Sequence, residues 1–225
     1  MKKILLTACG VFILFSCQSN AQETKTTEGT ETKEKKEAPP ASGILTESDY
    51  AAPIVDEISE KKKTKEISMG SIYGFKVKDI DGKEFDFGTL KGKKILIVNT
   101  ASNCGYTPQY KELEELYKQN KSKLVIIGFP SNDFGNQEPG TNTEIKAFCT
   151  KGYDVTFPMM GKVVVKGKEM SELYQFLTQK SQNGVLDSEV AWNFQKYLID
   201  EKGKLVKMFP SKVSPMSEEI MVAVK

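Results

Sequence analysis

The chain has 225 residues, with 32 Lys or Arg against 30 Asp or Glu and a formal charge of +2. That balance excludes an electrostatic nucleic-acid binder, which would carry a basic stripe; the Lys-rich stretches are interleaved with Glu and Asp and read as a solvated surface. Histidine is absent, which excludes a Ser–His–Asp triad, a Cys–His pair and a His-ligated zinc. The four cysteines, Cys9, Cys17, Cys104 and Cys149, are spaced too widely for a zinc cluster and are too few for a disulfide scaffold.

Lys2 and Lys3 precede an apolar run from Ile4 to Phe15 that is too short to span a bilayer stably. It ends in Leu14-Phe15-Ser16-Cys17, which resembles a bacterial lipobox, where cleavage before the cysteine leaves its thiol and amine to receive lipid. Leu6-Thr7-Ala8-Cys9 fits the local pattern better but leaves almost no apolar segment in front of it. Residues 1–16 are read as a signal peptide and Cys17 as the lipid attachment site, with ordinary secretion as the alternative. Both place the mature protein outside the cytoplasm, where disulfides persist; the lipid adds anchoring to a bacterial membrane, at its periplasmic face or the cell surface. From Gln18 to about Ser42 the chain is Thr, Glu, Lys, Gln and Ser with almost no large apolar residue, so disorder is expected. Residues 17–70 together form a flexible linker, whose roughly 50 residues reach on the order of 40 Å as coil.

The folded domain is expected over 71–225. Ile72 to Ile80 alternates like a strand, and Asp81-Gly82 turns it into Glu84-Phe85-Asp86-Phe87, a hairpin. Lys94 to Thr100 is a continuous apolar run, as in a strand covered on both faces. Tyr110, Leu113, Leu116 and Tyr117 recur at helical spacing, and Pro108 suits a first helical turn. Leu124 to Phe129 reads as a second buried strand, followed by a Gly- and Pro-rich loop from Pro130 to Gly140. Helices are expected over 143–151, 171–178 and 217–224, and a strand over 157–165. A hairpin is expected from 194–199 and 204–209 around Asp200-Glu201-Lys202-Gly203. Strand–helix–strand units imply a sheet with helices on its faces. With a thiol at a strand-to-helix turn, the class is α/β: a thioredoxin-like fold with a central mixed sheet, flanking helices and an N-terminal β-hairpin.

Cys104 sits at that turn. A helix N-terminus and its free N–H groups favour a thiolate there, and Gly105 permits a tight turn that leaves the sulfur accessible; a buried inert cysteine is the alternative. Thr107 stands where a disulfide oxidoreductase would carry its second cysteine, which weighs against a C-x-x-C reductase or a copper-handling protein of the same fold. Cys149 is either a small core residue on its helix or a resolving thiol. Resolution would require its Cα to approach that of Cys104 to within about 4.4–6.8 Å, and so local unwinding.

Three segments resemble the glutathione peroxidase family of the cysteine type, thioredoxin-dependent branch. They are Asn99-Thr100-Ala101-Ser102-Asn103-Cys104-Gly105-Tyr106-Thr107, the run Gly128 to Gly140 with Phe129-Pro130-Ser131-Asn132-Asp133-Phe134, and Trp192-Asn193-Phe194. The resemblance implies a peroxidase that reduces hydrogen peroxide and organic or lipid hydroperoxides without a cofactor or metal. Cys104 would be the peroxidatic cysteine, with the Trp192 indole N–H and the Asn193 amide as donors to its sulfur. The family's fourth member is a Gln, replaced here by Asp133; an ionised Asp cannot donate and would oppose a thiolate. Asp133 is therefore protonated, turned elsewhere, or dispensable. Ser131 stands where many relatives have another cysteine, so Cys149 would resolve the oxidised Cys104 as an intramolecular disulfide, reduced by a thioredoxin-like partner rather than by glutathione. The short stretch between Leu173 and Trp192 implies a monomer. A non-catalytic binding lipoprotein of the same fold is the remaining alternative, marked by an unreactive Cys104.

Overall fold

The computed structural model describes residues 70–225. The signal-peptide, lipidation and linker expectations, with Cys9 and Cys17, lie outside them.

The parity of apolar residues in two consecutive buried strands fixes the layers. In β3 (Lys94–Thr100) Ile95 and Ile97 face one side and Leu96 and Val98 the other; in β4 (Leu124–Pro130) Val125, Ile127 and Phe129 oppose Leu124 and Ile126. Both faces must therefore be covered. Between them, α1 (Gln109–Asn120) is the crossover that makes β3 and β4 parallel, in register from Lys94–Leu124 to Thr100–Pro130. Tyr110, Leu113, Leu116 and Tyr117 line its buried face against Leu96, Val98 and Ile126. Each such side chain contributes roughly 1.5–3 kcal/mol on burial.

Two further helices, α2 (Asn142–Tyr153) and α3 (Glu172–Thr178), precede a short α4 (Lys180–Asn183). Then β5 (Lys196–Ile199) and β6 (Leu205–Phe209) form a hairpin, and α5 (Glu218–Ala223) closes the chain. The main sheet runs β4-β3-β5-β6, with β5 antiparallel to both β3 and β6. α1, α2 and α5 cover one face; α3 covers the other, together with Ile72 and Phe87 of the N-terminal segment. This is a thioredoxin-like α/β arrangement. The expected N-terminal hairpin is present as β1 (Lys76–Lys78) and β2 (Glu84–Asp86), antiparallel.

Three expectations are corrected. Ile72–Gly74 is a 3-10 turn, not strand, because the Ser71 hydroxyl accepts from the Tyr73 N–H and caps it. Phe157 to Val165 is not a strand. Pro158 has no N–H to give, and the segment divides its bonds between two partners: Met160 N–H to Gly128, and Gly161 N–H to Lys78. It thereby covers the edge of β4 and ties the N-terminal hairpin to it. Gly128 is required at that crossing, since a Cβ there would strike the Met159 side chain. Phe194 and Gln195 stand outside β5, because Phe194 is left-handed, with φ 64°.

Lys196 lies fully buried in β5, on the face that meets α1. Its Nζ donates to Gln109 Oε1 at 2.6 Å, to the Val213 carbonyl at 2.6 Å and to the Ser211 carbonyl at 3.3 Å. It thus fastens the first residue of α1 to the loop after β6. Burial pulls the amine down to about 7 from the ordinary 10.5, so between those values the unfolded chain binds the extra proton and stability rises with pH. Urea unfolding from pH 7 to 10 should show the native protein gaining about 1–3 kcal/mol more than Lys196→Met. Parallel pH profiles would refute this.

Candidate active site

Helical hydrogen bonding begins before α1. The Thr107 N–H donates to the Cys104 carbonyl, Gln109 to Tyr106, and Tyr110 to Thr107. Thr107, the residue in place of a second cysteine, is buried and clamps the turn. Its hydroxyl donates to the Ala101 carbonyl at 2.9 Å and accepts from the Cys104 N–H at 3.0 Å. Cys104 opens this series of turns, only 8% exposed. Among the described residues the donor to its Sγ is the Tyr106 backbone N–H, at 3.4 Å. That dipole faces the charge that develops on sulfur during attack.

Asn99, at the end of β3 and fully buried, gathers the Trp192 segment. Its carbonyl accepts from the Phe194 N–H at 2.6 Å, its Nδ2 donates to the Trp192 carbonyl at 3.0 Å, and its N–H donates to the Gln195 carbonyl. The left-handed Phe194 then turns its ring into the core against Tyr110, centroids 5.3 Å apart. Trp192 remains 39% exposed, its ring on Phe134 at 5.6 Å. Asn193 is buried, and its Nδ2 donates to Gln137 Oε1 at 3.0 Å.

Gln137 was not singled out from the sequence. Its carbonyl accepts from the Asn103 N–H, beside Cys104, while its side chain holds Asn193. One residue of the loop after β4 thus joins two of the three segments. Asp133, from the same loop, is turned to the backbone after the Phe157 segment: its Oδ2 accepts from Val165 N–H at 2.6 Å and Lys166 N–H at 3.2 Å. Lys166 Nζ in turn lies 4.4 Å above the Phe134 ring. The structure therefore brings Cys104, Trp192 and Asn193 to one corner through Asn99, Gln137 and Phe134, and gives the Asp133 carboxylate a backbone partner.

Cys149 lies on α2, 1% exposed, in the same buried layer as Cys104. Both are free thiols. Burial pushes the Cys149 thiol up to about 11. Its carbonyl accepts from the Asp154 and Val155 N–H groups at the left-handed end of the helix. A cavity of about 250 Å³ separates the Cys104 turn from α2, with Ser102 and Asn103 on one wall, Ile145 and Phe148 on the other, and Glu138 between them. Among the described residues no cluster of three His, Cys, Asp or Glu side chains is placed to hold a metal ion.

The chain is similar to known proteins. The family model described as Glutathione peroxidase matches residues 72–178. A glutathione peroxidase-like peroxiredoxin of Schizosaccharomyces pombe is 48% identical over 149 residues, covering 65% of this chain and 93% of that protein. A glutathione peroxidase of Lactococcus lactis subsp. cremoris is 46% identical over 153 residues, covering 67% and 97%. Among solved structures, the apo crystal form of Trgpx has a TM-score of 0.54 at 37% identity, covering 68% of this chain and 95% of that one. With a cysteine at the strand-to-helix turn and relatives matched over nearly their whole length, the chain belongs to the glutathione peroxidase family.

Proposed function

We propose that this thiol-dependent peroxidase uses Cys104 to reduce hydrogen peroxide and organic or lipid hydroperoxides, and Cys149 to resolve the product. The observation that carries the reading is a free thiol at the turn before α1, with a backbone N–H on its sulfur and a second free thiol in the same buried layer. The Cys104 thiolate attacks the O–O bond. An S–O bond forms, the O–O bond breaks, and water or an alcohol leaves after taking up a proton. Trp192 and Asn193 are the side chains nearest in role to donors for that leaving oxygen. The Asn193 amide gives one of its two donor hydrogens to Gln137, which leaves the second for the peroxide.

Cys149 then attacks the sulfenic sulfur, forming the S–S bond and releasing water. Reduction by a thioredoxin-like dithiol restores both thiols by exchange. α2 is the element built to give way. Ile145 and Cys149 are its buried residues, against six in α1, and it ends on the left-handed Asp154. A thioredoxin-like partner would meet the intramolecular disulfide at that opened end and form a mixed disulfide with it. The N-terminal segment, through lipid on Cys17, would hold the domain as a monomer at an extracytoplasmic membrane surface. Metabolic labelling with palmitate, lost in Cys17→Ala, tests the anchor.

Cys104→Ser should abolish peroxide consumption, by at least about 10³-fold; retained turnover would refute the assignment. One equivalent of peroxide should give a Cys104–Cys149 disulfide by mass spectrometry, and Cys149→Ser should leave a trappable sulfenic acid and turn over poorly with thioredoxin. A wild-type protein that keeps a stable sulfenic acid would favour direct reduction by a small thiol. Asp133→Gln should hold or raise the peroxide rate. It should also cost about 1 kcal/mol in stability, because the Val165 and Lys166 amides exchange a carboxylate acceptor for the neutral carbonyl of a longer side chain. A large fall in rate would show that the carboxylate is needed.

A further inference from the structure

Lys196 is the one fully buried lysine among the described residues, and it makes no ion pair with any of them. An ammonium taken out of water without a counter-charge costs more than an apolar side chain of similar volume, so stability does not select it. What a lysine supplies, and methionine or leucine cannot, is three N–H donors on one atom. All three find acceptors: Gln109 Oε1 and the Val213 carbonyl at 2.6 Å each, and the Ser211 carbonyl at 3.3 Å. Gln109 closes the ring, its Nε2 donating to the same Ser211 carbonyl at 2.8 Å. One turn on, the Glu112 carboxylate accepts from the Ser214 hydroxyl. The first turn of α1 is therefore seated on the loop after β6, and Lys196 stands at the centre of that seat.

From the seat, hydrogen bonds lead to the thiol through two residues. The Gln109 N–H donates to the Tyr106 carbonyl at 2.9 Å, and the Tyr106 N–H donates to Cys104 Sγ at 3.4 Å. Lys196 is also the first residue of β5, directly after the segment of Trp192 and Asn193 that Asn99 pins to β3. One side chain thus ties the strand that carries the two donors to the helix whose opening turns carry Cys104.

We infer that Lys196 is a positioning residue for the attack of Cys104 on peroxide: through Gln109 it fixes the turn that aims the sulfur relative to Trp192 and Asn193. This rests on the attacking role proposed above for Cys104. Lys196 itself gives and takes no proton or electron in the step. In-line attack on an O–O bond tolerates little misplacement, and about 1 Å costs on the order of 10²-fold. The seat needs the ammonium form. A neutral amine has two N–H groups and a lone pair, so one of the three acceptors would face that lone pair. Burial brings the loss of the proton down to about 7, opposed by the Glu112 carboxylate on α1. The residues paired with Lys196 across the sheet are the apolar Val98 of β3 and Phe209 of β6. Two pH dependences then have opposite signs. Deprotonation relieves the buried charge, so the fold gains as pH rises from there, while the aim of Cys104 is lost. A purely structural lysine would support the reaction and the fold in the same direction.

The test is the single-turnover rate at which the reduced full chain consumes one equivalent of hydrogen peroxide, from pH 6 to 9, where urea curves show each variant folded. Lys196→Met should be about 10- to 100-fold slower than wild type at pH 6. The ratio of the two rates cancels the titration of the attacking thiol, and it should shrink several-fold by pH 9. An unchanged rate, or a ratio equal at every pH, would overturn the proposal. If Lys196→Met does not fold, Gln109→Leu carries the same test: about tenfold slower at pH 6, with the deficit closing as pH rises, and wild-type kinetics there refute it. Where both fold, the double variant should be no slower than Lys196→Met alone, because the two residues act through one contact; deficits that multiply would show that Lys196 does not work through Gln109. Cys104→Ser separates the two readings. Peroxide consumption at the wild-type rate in Cys104→Ser ends the attacking role itself. An inactive Cys104→Ser beside a ratio that does not move with pH ends only the role of Lys196.

Discussion

The site depends on how the antiparallel pairing of β3 with β5 ends. The ladder runs from Ile95–Ile199 to Val98–Lys196, and one residue further Asn99 takes over with its side chain as well as its backbone. Three bonds from this buried residue hold the carbonyl of Trp192 and the N–H of Phe194 at the strand end. Holding them forces Phe194 into the left-handed region, which costs a non-glycine residue on the order of 1 kcal/mol. The burial of its ring against Tyr110 offsets that cost. The result is a short segment pinned at both faces, with Trp192 and Asn193 beside the Cys104 turn. Loosening Asn99 would release both at once.

A site without histidine must manage charge by other means. Around Cys104 these are backbone dipoles: the Tyr106 N–H on sulfur and a turn locked by the Thr107 hydroxyl. Side-chain amides are spent on holding segments together, as in the Asn193–Gln137 bond. Asp133 of the same loop is bonded to the Val165 and Lys166 amides. Through them the loop after β4 is tied to the segment after Phe157.

What was legible in the sequence follows from range. The bounds of β3, the presence of the helix after Cys104 and the turn of the hairpin at Asp200 rest on local periodicity and turn chemistry, and they agree with the structure. The Phe157 segment misled because its apolar content is real, while its partners, Gly128 on one side and Lys78 on the other, are distant in sequence and split its bonds. Phe194 reads as strand because nothing local announces a left-handed aromatic. The motif residues Cys104, Trp192 and Asn193 were visible from their pattern. Gln137 and Glu138 lie within the Gly128 to Gly140 run but nothing local sets them apart from it; only the folding of that loop against Asn103, Asn193 and the cavity half-buries Gln137 and buries Glu138. Long-range burial of polar residues leaves no periodic signature.

The two helices bordering the cavity differ in the direction that two-step thiol chemistry requires. α1 carries the attacking end and is held by buried side chains along its length, by Lys196 on its first residue and by the Glu114–Thr156 bonds. α2 is fixed at its start by the Thr141–Glu144 capping box and by Asn142, whose Oδ1 accepts from the Lys162 N–H. Past Cys149 its hold includes the pair of backbone bonds on the Cys149 carbonyl and the packing of Tyr153 on Phe148, at 5.5 Å, and on Tyr110, at 5.3 Å. Local opening costs least where few buried contacts are lost. The hinge therefore lies in the last turn, and the anchored first turn keeps the freed thiol close to the domain. If Cys149 resolves the oxidised Cys104 as proposed, a short tether of this kind would give its sulfur a high effective concentration there.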